Sequence, residues 1–137
     1  MLLFDYGFPA HEFYHPQRTD GTLVCHYRHR VHNDPLTLVG LQDITSHIDF
    51  TALAQAAHDS GLQVAGFTSQ TWFLLAMGID QLTDAYADDA ARWHIAQQIQ
   101  KLTSPAEMGE LFKVLALTKN VDMQLQGFTL RDQRGRL

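Results

Sequence analysis

The chain predicts an α/β fold built on a mostly parallel sheet. Three observations carry that expectation: an apolar run at Leu2-Leu3-Phe4, an amphipathic segment opened by Asp49 and stopped by Gly61, and a second apolar run over residues 62–67. Strand, helical crossover and strand is the order that builds a parallel sheet.

Residues 1–7 read as the first strand, which ends at Gly7 ahead of Phe8-Pro9. A strand apolar on both faces belongs in the middle of a parallel sheet, so the chain opens as the later part of a larger domain would. Residues 8–48 read as one long polar loop, punctuated by Asp20-Gly21 and Asn33-Asp34-Pro35, with a short strand at Thr22-Leu23-Val24. A loop of that length in a compact domain is functional or disordered, and its many aromatic residues argue against disorder.

Asp49 suits the N-cap of the next helix, in which Phe50, Leu53, Ala54 and Ala57 share a face. Residues 71–109 read as a helical insertion between the last strands. It holds a short apolar helix from Thr71 to Met77 and a longer one from Asp80 or Thr83 to about Leu102, with Leu82, Tyr86, Trp93 and Ala96 on one face. A further turn is opened by the capping box Ser104-Pro105-Ala106-Glu107. Residues 111–117 form a third strand and 125–130 an edge.

With 137 residues, the chain can build one modest domain. A 45% hydrophobic and 18% charged composition is that of a folded protein. The formal net charge of -5 argues against nucleic acid as a partner. Three basic residues nevertheless gather early, at Arg18, Arg28 and Arg30, which leaves room for a local anion site. The single Cys25 excludes an internal disulfide and a cysteine-rich zinc site, and it fits a reducing compartment. No apolar run reaches the ~20 residues of a membrane span, and none reads as a signal peptide, so neither a membrane partner nor an export address is expected.

Several groups could carry chemistry. His26, His29 and His32, with Asp34, carry metal-ligating side chains, but their loop spacing fixes no coordination geometry, so no metal is expected and the histidines are read as holding the loop against the sheet. His11 and His15 are read the same way. Arg18, Arg28 and Arg30 could form a carboxylate or phosphate clamp, or could instead pair with Asp20, Asp34 or Asp43; the sequence leaves both open. Asp43, His47 and Asp49 have the composition of a carboxylate–imidazole relay able to deprotonate a nucleophile, although Asp49 is also the helix cap. Glu107 and Glu110 are two carboxylates three apart, of which the capping box already explains Glu107. No serine lies in a nucleophile elbow, Cys25 lacks a helix start beside it, and the nine glycines never approach the spacing of a nucleotide loop.

Taken in order, Asp5-Tyr6-Gly7, Tyr14-His15-Pro16-Gln17-Arg18, His26-Tyr27-Arg28-His29-Arg30, residues 43–50, Gly66-Phe67-Thr68-Ser69-Gln70 and residues 108–114 resemble the MidA family of S-adenosylmethionine-dependent methyltransferases. The resemblance runs along nearly the whole chain but covers only the C-terminal half of such an enzyme. It implies a Rossmann-like class I methyltransferase fold, present here as a single partial domain over 1–137. In that layout residues 1–7 are a late central strand, 62–70 the next parallel strand, and 111–118 an antiparallel strand between them.

The resemblance also implies a function: the C-terminal portion of a protein methyltransferase, with arginine as the favoured acceptor. The alternative is a truncated, non-catalytic half-domain that binds a partner protein. Asp43 and His47 become candidate catalytic groups, Asp5 and Tyr6 the rim of the active site, and Tyr14, His15, Arg18, His26, Tyr27, Arg28 and Arg30 candidate substrate contacts. S-adenosylmethionine is the implied cofactor of the full-length family. This chain alone is not expected to hold it, since the glycine-rich loop and acidic residue of the N-terminal half have no counterpart. Expected partners are a protein substrate and either the missing N-terminal half or a second copy. The expected location is the bacterial cytoplasm, or the mitochondrial matrix in a eukaryotic relative.

Overall fold

The computed structural model describes residues 1–85 and 87–137. Its elements run β1 (Leu2–Phe8), α1 (Ala10–Phe13), β2 (Leu23–Tyr27), β3 (Arg30–His32), β4 (Asp43–Ser46), β5 (Ile48–Asp49), α2 (Phe50–Asp59), β6 (Gln63–Ser69) and α3 (Gln70–Ala76). A 3-10 segment at Ile79–Ala85, α4 (Asp89–Thr103), β7 (Phe112–Thr118) and two 3-10 turns at Gln126–Phe128 and Arg134–Arg136 complete it.

The main sheet has the order β5-β1-β7-β6. β5 is parallel to β1, and β7 is antiparallel to both β1 and β6. β1, β5 and β6 therefore share one direction with β7 reversed among them, which is a Rossmann-like α/β arrangement and the layout the sequence implied. β7 supports it because its residues alternate between two cores. Leu115 and Leu117 join Phe50, Ala57 and Phe67 on the α2 side, while Val114 and Ala116 join Phe73 and Phe128 on the other. Each fully buried Phe or Leu among these contributes roughly 1.5–3 kcal/mol.

Local chemistry explains the boundaries. The Asp49 carboxylate accepts the Ala52 N–H at 3.0 Å, as an N-cap should, and Gly61 takes a φ of +76° just past α2. At Gly66, beside a bulge in the β6–β7 register, a Cβ would lie 2.3 Å from Cγ of Phe128. Only glycine admits that ring over the strand.

Five expectations need correction. The segment 8–48 is not a plain loop: β2, β3 and β4 form a second, antiparallel sheet in the order β3-β2-β4. Residues 125–130 are no edge strand, because Gln126–Phe128 coil into a 3-10 turn that drops Phe128 into the core. The long helix of the insertion is split, with Asp88 capping a fresh start by accepting the Ala91 N–H at 3.0 Å. Its face is not buried either: α4 has no buried residue and Trp93 is 67% exposed. Tyr86, assigned to that face, lies outside the described residues. Ser104 ends α4 instead of opening a helix, and its carbonyl accepts the N–H groups of Glu107 and Gly109 at 3.1 and 2.9 Å.

Candidate functional site

In open α/β sheets ligands bind beyond the carboxyl ends of the parallel strands. The end of β1 carries Asp5, Tyr6, Gly7 and Phe8. Gly7 lets β5 close in, since a Cβ there would stand 2.1 Å from the carbonyl oxygen of Ile48. That approach brings His47, just ahead of β5, against the side chains of β1. Its imidazole stacks on Phe8 with centroids 5.0 Å apart and meets Tyr6 edge-on at 5.3 Å. Tyr6 also meets Phe112 of β7 edge-on at 5.3 Å, and its hydroxyl hydrogen-bonds the Thr45 hydroxyl.

The second sheet folds over this end of the main sheet. Val24, His26, Asp43 and Thr45 share one of its faces, because His26 pairs with Asp43 and Val24 with Thr45 in the β2–β4 register. Together with Tyr6, His47, Leu111 and Phe112 they line a half-open cavity of about 370 Å³. The result is an aromatic wall facing one carboxylate and two imidazoles. Nδ1 of His47 lies 3.3 Å from the Thr22 carbonyl. A carbonyl only accepts, so Nδ1 is the donor in this contact, and in the matching uncharged tautomer Nε2 is an acceptor.

Asp43, His47, His26 and Tyr6 are thus brought together, but the carboxylate–imidazole relay does not form, because Asp49 caps α2 and the Nδ1 partner of His47 is a backbone carbonyl. Asp5 turns its carboxylate to the Tyr6 N–H at 2.8 Å. Arg18 lies 4.4 Å over the Phe8 ring and lines a separate surface hollow with Glu12, His15 and Gln17. Tyr14 is exposed and touches Phe13. Tyr27, Arg28 and Arg30 occupy the β2–β3 hairpin, away from the cavity lining. Among the described residues no three His, Cys, Asp or Glu side chains converge as a metal site would need. Sequence reasoning missed Phe8, Thr45 and Phe112; the period-two placement of Tyr6 and Phe8 on one strand was the available signal.

A second polar group lies on the opposite face of the same strand ends. Asp5, Lys113 and Ser69 are register partners across β1, β7 and β6. Lys113 is 9% exposed and donates to the Glu110 carbonyl, while Ser69 Oγ donates to Glu110 Oε1 at 2.9 Å. Burial holds the Lys113 ammonium below the usual lysine range, and the Glu110 and Glu12 carboxylates partly offset it.

Comparison with known proteins gives this site a context. Residues 1–68 match a family described as "Putative S-adenosyl-L-methionine-dependent methyltransferase". The mitochondrial protein arginine methyltransferase NDUFAF7 of Rattus norvegicus is 33% identical over 120 residues, 85% of this chain and 26% of that protein. That of Bos taurus is 35% identical over 106 residues, 72% of this chain and 24% of that protein. A crystal structure of a COG1565 superfamily protein from Burkholderia thailandensis superposes with a TM-score of 0.94 at 46% identity, covering 99% of this chain and 37% of that one. A second structure of this superfamily from that organism, bound to S-adenosyl-homocysteine, gives 0.92 at 47% identity, over 99% and 36%. The chain belongs to the MidA/COG1565 methyltransferase family.

This MidA-family chain spans about a quarter of the length of the curated relatives it matches. Its glycines do not form the glycine-rich cradle of the family's cofactor. The glycines in left-handed conformation, Gly21, Gly40, Gly61 and Gly78, are isolated from one another, and β1 leaves the sheet through Phe8-Pro9, without glycine. Among the described residues no glycine-rich turn follows a parallel strand to receive the adenosyl group.

Proposed function

We propose that this chain forms the acceptor side of an S-adenosylmethionine-dependent protein methyltransferase, with arginine as the methylated residue. The observation that carries this is the cavity of Tyr6, Asp43, His47 and Phe112 at the carboxyl end of β1. A guanidinium is a flat cation, favoured by aromatic rings and by a carboxylate that can accept two of its N–H groups. Asp43 is the ion-pairing partner and Tyr6 and Phe112 the aromatic wall. His47, with Nδ1 committed to the Thr22 carbonyl, takes at Nε2 the proton that a guanidinium nitrogen gives up on alkylation. The cofactor's cradle is assigned to no residue of this chain. Relatives named as protein arginine methyltransferases support the choice of acceptor, and the structures of higher identity are bacterial, which favours a bacterial source.

The test replaces Asp43 and His47 separately by alanine in the native gene and quantifies methylated arginine in the proteome by mass spectrometry. Loss of the same methylarginine site in both variants is expected. Retention of every site in both would defeat the assignment, and loss of methyl-lysine instead would move the acceptor to lysine.

A second reading rests on the far edge of β1. Among the described residues no strand pairs with that edge of Leu2–Tyr6, and Leu2 and Phe4 are 46% and 43% exposed. An open apolar edge invites a partner strand, supplied by another protein segment or a second copy. In this reading the chain is a non-catalytic half-domain. The intact mass of the native protein separates the two: a value near 15.5 kDa favours the half-domain and a much larger one the enzyme.

A further inference from the structure

The hairpin of β2 and β3 starts in the candidate site and ends in a basic tip. His26 lines the cavity, and two residues later the strand turns. Tyr27 and Arg30 are register partners, so Arg28 and His29 are the two central residues of the tightest hairpin loop. Both have positive φ, +46° and +63°. This twisted two-residue turn usually recruits Asn and Gly, since other side chains are disfavoured there. Arg28 and His29 hold it instead, at a conformational cost of the kind that concentrates at functional positions.

The charges at the tip are uncommitted. Arg28, His29 and Arg30 are all exposed. Among the described residues the arginine ion pairs belong to Arg92, Arg134 and Arg136, and neither Arg28 nor Arg30 makes one. Neighbouring carboxylates are engaged elsewhere: Asp34 accepts the Leu36 N–H at 2.9 Å and the Thr37 hydroxyl at 2.7 Å, and Asp20 accepts the Thr19 hydroxyl. Arg28 lies 5.4 Å over the Tyr27 ring, which restrains its aim without satisfying its donors. Two unpaired guanidinium groups on this hairpin, in a chain of net charge -5, make a localised basic surface.

We propose that the β2–β3 hairpin is a specificity arm that binds an acidic segment of the protein substrate, close in sequence to the residue entering the Tyr6–Asp43–His47 cavity. The inference rests on the acceptor reading above, which it deepens. Guanidinium forks pair bidentately with Asp or Glu carboxylates, and an arm continuous with the cavity wall sets a short spacing between acidic segment and acceptor. Nucleic acid is disfavoured as the ligand, because two arginines on an acidic chain give too small a basic footprint for a phosphate backbone.

The test is fluorescence anisotropy on the full chain, with labelled peptides that carry one arginine beside a run of glutamates or beside a run of glutamines. No cofactor is present, so the result is independent of methylation. The expected result is binding of the acidic peptide only, weakened by added salt. The double substitution Arg28→Gln and Arg30→Gln should weaken it about tenfold, which two exposed ion pairs can supply. Arg28→Lys with Arg30→Lys retains the charges without the bidentate forks and should recover only part of the loss. Lys119→Gln, at the far end of β7, should change nothing. Equal binding of both peptides, indifference to the Gln double substitution in a protein of unchanged circular dichroism, or tighter binding of a single-stranded oligonucleotide would each overturn the proposal. Loss of methylation with Asp43→Ala while acidic-peptide binding persists would show the arm and the acceptor site to be separable.

Discussion

Phe8 and His47 stack with ring planes 26° apart and centroids at 5.0 Å. Tyr6, two residues back on the same strand and so on the same face, closes on the imidazole at 76°. His47 therefore takes its position from the register of the main sheet, although it sits in the connection between β4 and β5. Packing and chemistry at this ring can be separated by substitution.

His47→Phe keeps a flat ring against Phe8 but removes the bond to the Thr22 carbonyl and the Nε2 acceptor. The expected stability loss is about 1 kcal/mol, read from the urea midpoint. On the proposed acceptor role, methylation by the full-length protein should fall by about a hundredfold or more. Undiminished methylation would take the proton-accepting function away from His47.

Gly7→Ala should be among the most damaging single-methyl changes in the chain. Its Cβ would collide with the Ile48 backbone, which cannot swing aside as a side-chain tip can. A loss of ~2–4 kcal/mol is expected, together with faster amide exchange at Ile48 and Asp49. A near-neutral result in denaturant would mean that β5 does not depend on this approach.

Asp49→Ala removes the cap of α2 and should cost about 1 kcal/mol, whereas Asp49→Asn should stay within a few tenths. Methylation should survive both, because Asp49 caps a helix and serves no relay. Loss of methylation in a stable Asp49→Asn protein would restore the relay.

Lys113 gives a pH signature. Its folded pKa lies below 10.5, the unfolded value, because burial opposes the charge. Between the two values the unfolded chain binds more protons, so this residue's contribution to stability increases with pH across that window. Below the folded pKa the cost of burying the ammonium is fully present. Compared with Lys113→Met by urea unfolding, the wild type should therefore gain stability as pH rises from neutral toward 10.5. A difference that stays flat or falls would show that the ammonium is not disfavoured in the fold.

The parts that were legible in the sequence share a physical cause. β1, β6, β7 and α2 are buried against one another, and burial writes itself as apolar runs, a capping Asp49 and a terminating Gly61. The second sheet was largely hidden because its strands carry His26, Arg30 and His32 at alternating positions, and because its tight turn uses Arg28-His29 in place of Asn-Gly. α4 was misread because its half-buried stripe runs through Ala91, Ile95, Ile99 and Leu102, whereas Trp93, read as part of the inward face, is 67% exposed. At the site, Asp43 and His47 could be picked out by chemistry, but Phe8, Thr45 and Phe112 could not, since their convergence comes from strand pairing across distant positions.

The placement of β7 between β1 and β6 also bears on how the chain is made. Residues Leu2–Tyr6 of β1 pair with Phe112–Ala116 of β7, so this stretch of β1 waits for a strand more than a hundred positions on. Closing so large a loop precedes any reward from the contacts it brings together, and folds dominated by such distant pairings assemble slowly. Among the described residues the apolar Leu2-Leu3-Phe4 stretch has no strand to pair with until β7 emerges. That interval makes nascent-chain binding by a holdase chaperone the expected fate of this segment.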